Sequence, residues 1–132
     1  MARVPPTFKK AKNNFCTIEP IFAVKDAAAA APIMADFAKR TKKEPGCLFY
    51  GFAVAGDAMV CREAYVNGDA VNAHLKNVGP CIEALLASSC DLAEIKITGP
   101  AAEIEKTKPG TKDLGTLYYE TAHGGVANVY HA

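Results

Sequence analysis

Between Asn14 and Val24 the chain alternates with period two. Cys16, Ile18, Phe22 and Val24 share one side and Phe15, Thr17, Glu19 and Ile21 the other, the pattern of a strand. Pro20 lies inside this run without an N–H to donate, so a bulge or a free edge is expected there. The period then changes. Asp26 is placed to cap a helix running to about Lys43, in which Ile33, Met34, Phe37 and Thr41 recur at helical spacing as the buried stripe. Pro32 either kinks that helix or begins its regular part. Lys39, Arg40, Lys42 and Lys43 suit the negative end of the helix dipole, and Glu44-Pro45-Gly46 stops it.

Cys47 to Val54 and Ala58 to Tyr65 read as two strands joined by the hairpin loop Ala55-Gly56-Asp57. Asn67 caps a second helix with the apolar face Ala70, Val71, His74, Leu75 and Val78. Gly79-Pro80 is expected to break and restart it, with Ile82, Leu85 and Leu86 continuing the buried side. Leu92 to Thr98 is a fourth strand, Ala93, Ile95 and Ile97 inward and Glu94 and Lys96 outward. The order β-α-β-β-α-β is the split βαβ pattern, an α+β ferredoxin-like domain with a four-stranded antiparallel sheet and both helices on one face. The other face needs cover, which predicts a homodimer.

The segments are a basic arm at 1–13, the ferredoxin-like domain at 14–99 and a C-terminal extension at 100–132. In the extension, Ala101 to Lys106 is expected as a helical turn, Lys108-Pro109-Gly110 as loop, and Leu114 to Thr121 as a strand that adds to an edge and lids the pocket. A loose tail is expected from His123 onward.

Composition narrows the classes. Lys and Arg number 15 against 14 Asp and Glu, a net charge of +1, so nothing draws the chain to nucleic acid or to acidic membranes. The basic clusters at Arg3 to Lys12 and Lys39 to Lys43 carry no interleaved aromatics and read as solvated. No apolar run is long enough to span a bilayer, and the first residues lack the apolar stretch of a secretory signal. A cytoplasmic location is expected, or an organelle stroma if a targeting peptide has been removed. Five cysteines with no C-x-x-C pair argue against a zinc site and a disulfide framework, and no His, Asp and Glu spacing resembles a metal site.

Alternation places Met59, Cys61, Glu63 and Tyr65 on one strand face, with His74 on the apolar stripe of the following helix. A carboxylate, a phenol and an imidazole that converge in an apolar cavity suit proton abstraction from an activated carbon. The plainer readings are a hydrogen-bonded core histidine, a Glu63–Arg40 ion pair, and Tyr50 and Tyr65 as core aromatics. Glu19 lines either the pocket or a dimer seam.

Two stretches carry a family resemblance. Glu44-Pro45-Gly46-Cys47-Leu48-Phe49-Tyr50 resembles the "EPG-x-L-x-Y/F" opening of the second strand of antibiotic-biosynthesis monooxygenase domains. Glu63-Ala64-Tyr65, followed by Ala70 and His74, resembles their "E-x-W/Y … A-x-x-x-H" signature, and Glu63 to Leu75 is nearest to the autoinducer-degrading branch, where the strand reads "YEAYV". The match covers about residues 14–99. It implies a dimeric α/β barrel whose pocket, between sheet and helices, receives the Glu63 face. The family mixes cofactor-independent monooxygenases of phenols or quinols, haem-degrading enzymes, an isomerase of a phosphorylated autoinducer sugar and proteins of no known reaction. The chain has no Trp, Tyr65 stands where the haem-ruffling tryptophan would be, and Ile18-Glu19-Pro20-Ile21 holds no counterpart of the first-strand asparagine, which disfavours haem degradation. The resemblance thus implies a monooxygenase or isomerase without a cofactor, acting on a small carbonyl, phenol or quinol. Glu63 and His74 would do acid–base work, and Tyr65, Tyr50, Phe52, Glu19 and Cys61 would contact substrate. The alternative is a non-catalytic dimeric ligand-binding or stress-response protein of the same fold.

Overall fold

A computed structural model describes residues 8–10, 14–123 and 128–130. Local signals start both long helices. Asp26 Oδ1 accepts from Ala29 N at 3.0 Å and begins α1 (Ala27–Thr41). Asn67 Oδ1 accepts from Ala70 N at 2.8 Å and begins α2 (Gly68–Ser88). The expected break at Gly79-Pro80 does not occur. Pro80 is exposed, so the carbonyl it leaves without an N–H faces water, and the helix runs on.

The strands are β1 (Phe8–Lys10), β2 (Cys16–Val24), β3 (Cys47–Ala55), β4 (Ala58–Tyr65), β5 (Cys90–Gly99), β6 (Leu117–Glu120) and β7 (Asn128–Tyr130). Five of them form one sheet in the order β3-β4-β2-β5-β6. The first four pair antiparallel, and β6, within the stretch of the extension expected as an edge strand, pairs parallel to β5, so the sheet is mixed and five-stranded. β1 and β7 make a separate antiparallel ribbon in place of the loose tail expected there. His123 is exposed, while 124–127 and 131–132 lie outside the described residues.

Pro20 sits in the central strand, not at an edge. The irregularity comes next to it: Ile21 faces Glu94 but Phe22 faces Leu92, which leaves Ala93 as an extra residue on β5. The extra residue reverses the pleat, so Ala93 is exposed instead of inward, while Cys90, Ile95 and Ile97 are buried.

The extension is more ordered than its sequence suggests. α3 (Ala101–Thr111) runs through Lys108-Pro109-Gly110, the segment expected as loop. Burial overrules propensity there. Ile104, Thr107 and Thr111 face the core, and the two threonine hydroxyls donate to Ile104 O at 2.7 Å and Thr107 O at 2.9 Å. Pro109 and Gly110 lie on the solvated side. A short 3₁₀ turn, Lys112–Leu114, then leads into β6.

All three helices pack on one sheet face. One core cluster gathers Phe22, Phe37, Met59, Val78, Cys81 and Leu85, and a second gathers Cys16, Ile18, Tyr65, Val71, Ile95, Ile97 and Ile104. The opposite face exposes Phe49, Gly51, Ala53 and Arg62.

Candidate active site

Strand alternation turns Met59, Cys61, Glu63 and Tyr65 toward the helices, none more than 4% exposed. The inward stripe of α2 sets His74, 3% exposed, over the same strand. His74 Nε2 lies 3.2 Å from Glu63 Oε1, and Nδ1 lies 2.9 Å from both oxygens of Glu44. A neutral imidazole has one N–H and cannot donate on both sides, whereas the imidazolium can. Burial works against the cation, but hydrogen bonding to Glu63, its charge and the charge of Glu44 together outweigh it. The His74 pKa is raised above its ordinary value.

The Tyr65 hydroxyl donates to the same Glu63 Oε1 at 2.7 Å. Burial first, and then the Glu63 charge, push this phenol far up, so it stays a donor. Both bonds to Glu63 thus end on Oε1; Oε2 receives neither. On the far side, Asn77 Nδ2 donates to Glu44 Oε2 at 2.7 Å and to Arg40 O at 3.1 Å, and Arg40 Nη1 donates back to Asn77 O at 3.1 Å. This latch ties the end of α1 to the middle of α2.

Glu63 and His74 form part of the wall of a cavity of about 50 Å³. One water needs about 10–15 Å³ by a comparable measure, so the cavity has room for the reacting end of a molecule. The rest of the wall is mostly apolar, with Ile18, Phe22, Phe37, Val78, Leu86 and Ile95 among its residues, and Leu114 of the extension also reaches it.

Of the residues singled out from sequence, Glu63, His74, Tyr50, Phe52 and Cys61 meet at this cavity. The Tyr50 ring lies 5.6 Å from the His74 ring and 5.5 Å from that of Phe52. Burial, then the neighbouring Cys61 and Glu63, push the Tyr50 hydroxyl up; burial and Glu63 do the same to the Cys61 thiol, which leaves it a poor nucleophile. Tyr65 is fully buried beneath Glu63 and outside the cavity wall. Glu19 is half-buried, opposite Lys96 in the β2–β5 ladder, and is not brought to the cavity. Arg40 pairs with Asp36, Nε to Oδ2 at 3.2 Å, and not with Glu63.

Sequence reasoning passed over Glu44 as a chemical group, although it opens the EPG stretch, and it passed over Asn77. Asn77 did carry a signal, since it stands three residues after His74 on the same helix face. Both His74 nitrogens are engaged by carboxylates, and among the described residues no group of three His, Cys, Asp or Glu is arranged to hold a metal. Among the same residues no helix is long and apolar enough to cross a membrane.

No family model and no curated protein matches the sequence. Solved structures do. MupZ from Pseudomonas fluorescens is similar with a TM-score of 0.78 at 26% identity, over 86% of this chain and 94% of that one. SnoaB, a cofactor-independent oxygenase from Streptomyces nogalater, gives 0.57 at 20% identity over 64% and 90%. A candidate antibiotic biosynthesis monooxygenase from Caulobacter crescentus gives 0.56 at 21% over 64% and 88%. The likeness to MupZ spans more of the chain than residues 14–99 and so reaches beyond the ferredoxin-like segment. The chain has the fold of the antibiotic biosynthesis monooxygenases.

Proposed function

We propose that the chain is a small-molecule enzyme, a cofactor-independent monooxygenase or isomerase that works by acid–base chemistry on a small carbonyl, phenol or quinol. One observation carries the reading: a buried carboxyl group, Glu63, is held by the His74 imidazole and a tyrosine hydroxyl at the wall of an otherwise apolar cavity. Glu63 is the base and takes a proton from the substrate, while His74 stabilises the charge that develops. Tyr50, Phe52 and Cys61 shape the site around the reacting atom, and Tyr65 anchors Glu63 from below. In the oxygenase form the electron-rich substrate anion adds oxygen at carbon. The peroxide then loses water to leave a carbonyl, the substrate supplying all the electrons. In the isomerase form the proton returns to a different atom. SnoaB, described as a cofactor-independent oxygenase, supports the first form by sharing the fold.

The uncovered sheet face around Phe49 and Arg62 supports a homodimer, with the arm at 1–13 and the extension at 100–132 flanking a ferredoxin-like unit. A second reading, a ligand-binding protein, is favoured by the fact that the Glu44–His74–Glu63–Tyr65 network satisfies its own bonds without a substrate. Oxygen uptake and product mass over a panel of electron-rich phenols, quinols and enolisable ketones separate the two. Turnover lost about 100-fold or more in Glu63→Gln, with the circular dichroism of the native protein, is the expected result. A compound that binds and is released unchanged, with no turnover across the panel, gives the binding reading.

A further inference from the structure

The base in this reading needs its one hydrogen-bonded oxygen held still, and the residues that could do so lie on the side of His74 away from the cavity. Nδ1 faces the Glu44 carboxylate at 2.9 Å to each oxygen, a symmetric contact with two acceptors. Glu44 is itself fixed by Asn77 at 2.7 Å, and Asn77 by its two exchanges with the Arg40 backbone and guanidinium. None of these groups lines the cavity. We infer that Glu44 is a positioning residue of the site: it clamps the His74 ring from behind, so that Nε2–H stays on Glu63 Oε1 and the carboxyl group keeps its place at the cavity wall.

The clamp explains why an imidazole sits here in place of a simple amide donor. An amide would hold Glu63 with one neutral hydrogen bond. An imidazolium fixed on both nitrogens holds it with a charge-assisted one, and its ring cannot turn over without breaking both contacts. The groups that face His74 are Glu63 and Tyr65 from β4, Tyr50 from β3, and Glu44 from the turn after α1. Those around Glu44 are Asn77 and His74 from α2 and, in the grooves that it lines, Asp36, Lys39 and Arg40 of α1, Lys42 and Lys43 just after it, and Cys47 and Tyr50 of β3. Among the described residues, only Glu44 and Glu63 accept from the ring. The clamp is therefore a single residue, and its removal is a clean test.

The inference rests on Glu63 being the base, but its test needs no substrate. ¹H–¹⁵N spectra of the His74 ring, recorded across pH on the full chain, report which nitrogens carry protons. The wild type is expected to show both ring N–H protons at neutral pH and to titrate above the ordinary histidine range. Glu44→Gln is expected to move that titration downward and to lose the Nδ1–H signal at neutral pH, with Glu44→Asp recovering part of the shift. Asn77→Ala, which keeps both carboxylates, is expected to move it the same way by less, and serves if Glu44→Gln does not fold. A wild-type ring with one bare nitrogen at neutral pH overturns the clamp. So does a Glu44→Gln or Asn77→Ala titration that coincides with the wild type. Either result leaves the turnover test of Glu63→Gln untouched.

Discussion

At the start of α2, Glu103 Oε1 accepts from Gly68 N at 3.0 Å and from Lys106 Nζ at 3.0 Å. Less than two turns further along the same helix, His74 holds Glu63. Both glutamates are buried, and both are tied to α2 from another element. Their partners differ in kind. The first bond of Glu103 is to a backbone N–H, which never changes protonation, and Lys106 adds a permanent charge. That backbone bond foremost holds its carboxyl below the usual carboxylate range. Space is full there as well: a Cβ on Gly68 would run into the backbone carbonyl oxygen of Glu103. Glu63 is bonded to a titratable imidazole and to a phenol that stays a donor, and it borders a cavity. Burial alone thus does not distinguish the two glutamates; the titratable partner and the room beside Glu63 do.

His74 is where the two ends of α2 differ most in what they hold together. Replacing it with Leu leaves buried Glu63 and half-buried Glu44 without their shared partner, and urea unfolding at pH 7 is expected to show a loss of about 3–5 kcal/mol. A loss below about 1 kcal/mol would mean that the two carboxylates do not carry charge against each other. At the other end, Gly68→Ala is expected to cost about 1–3 kcal/mol, because its methyl group meets Glu103 backbone and not a flexible side-chain end. Glu103→Ala removes the partner of Gly68 N and is expected to cost about 1 kcal/mol, of which Glu103→Gln recovers a part by offering its amide oxygen. An effect of Glu103→Ala on turnover would contradict the division drawn above.

The two ends also titrate in opposite directions. A raised folded-state pKa gives stability that is present below the ordinary histidine value, about 6.5, and lost as pH rises through the raised value. Thermal midpoints of the wild type are therefore expected to fall on the alkaline side relative to those of His74→Gln. A depressed carboxyl gives stability that is present above the ordinary Glu value, about 4.3, and lost as pH falls through the lowered one. The smallest effect expected is accordingly on the acid side, where the wild type loses its margin over Glu103→Gln. Parallel profiles for either pair would remove that residue from the account.

The parts of this molecule that could be read from its sequence are those set by neighbours in the chain. Asp26 and Asn67 cap helices by reaching three residues ahead, and the alternation from Met59 to Tyr65 needs only the pleat of one strand. What escaped depends on contacts between distant segments. Ala93 is an ordinary alanine in composition; only pairing with β2 makes it the extra residue. Pro80 and Pro109 break helices when their missing bonds are buried, and whether they are buried is decided by packing. Glu63, Tyr65 and His74 stood out because their residue types are rare on apolar faces. Glu44 stood in a turn, where a glutamate is unremarkable until α2 brings His74 against it from thirty residues away.

The position of β2 in the sheet has a consequence for how the chain is made. It is the earliest strand of the five to leave the ribosome, yet it is the central one, and its partners begin only at Ala58 and Cys90. Throughout that interval a nascent β2 presents two open edges of unpaired backbone, the hazard that leads strands of neighbouring chains to pair. Pro20 removes a donor from the middle of it, and its ladder with β4 skips Glu19 and Pro20. A residue that interrupts the finished sheet is thus also one donor fewer on the strand that has to wait longest for its partners.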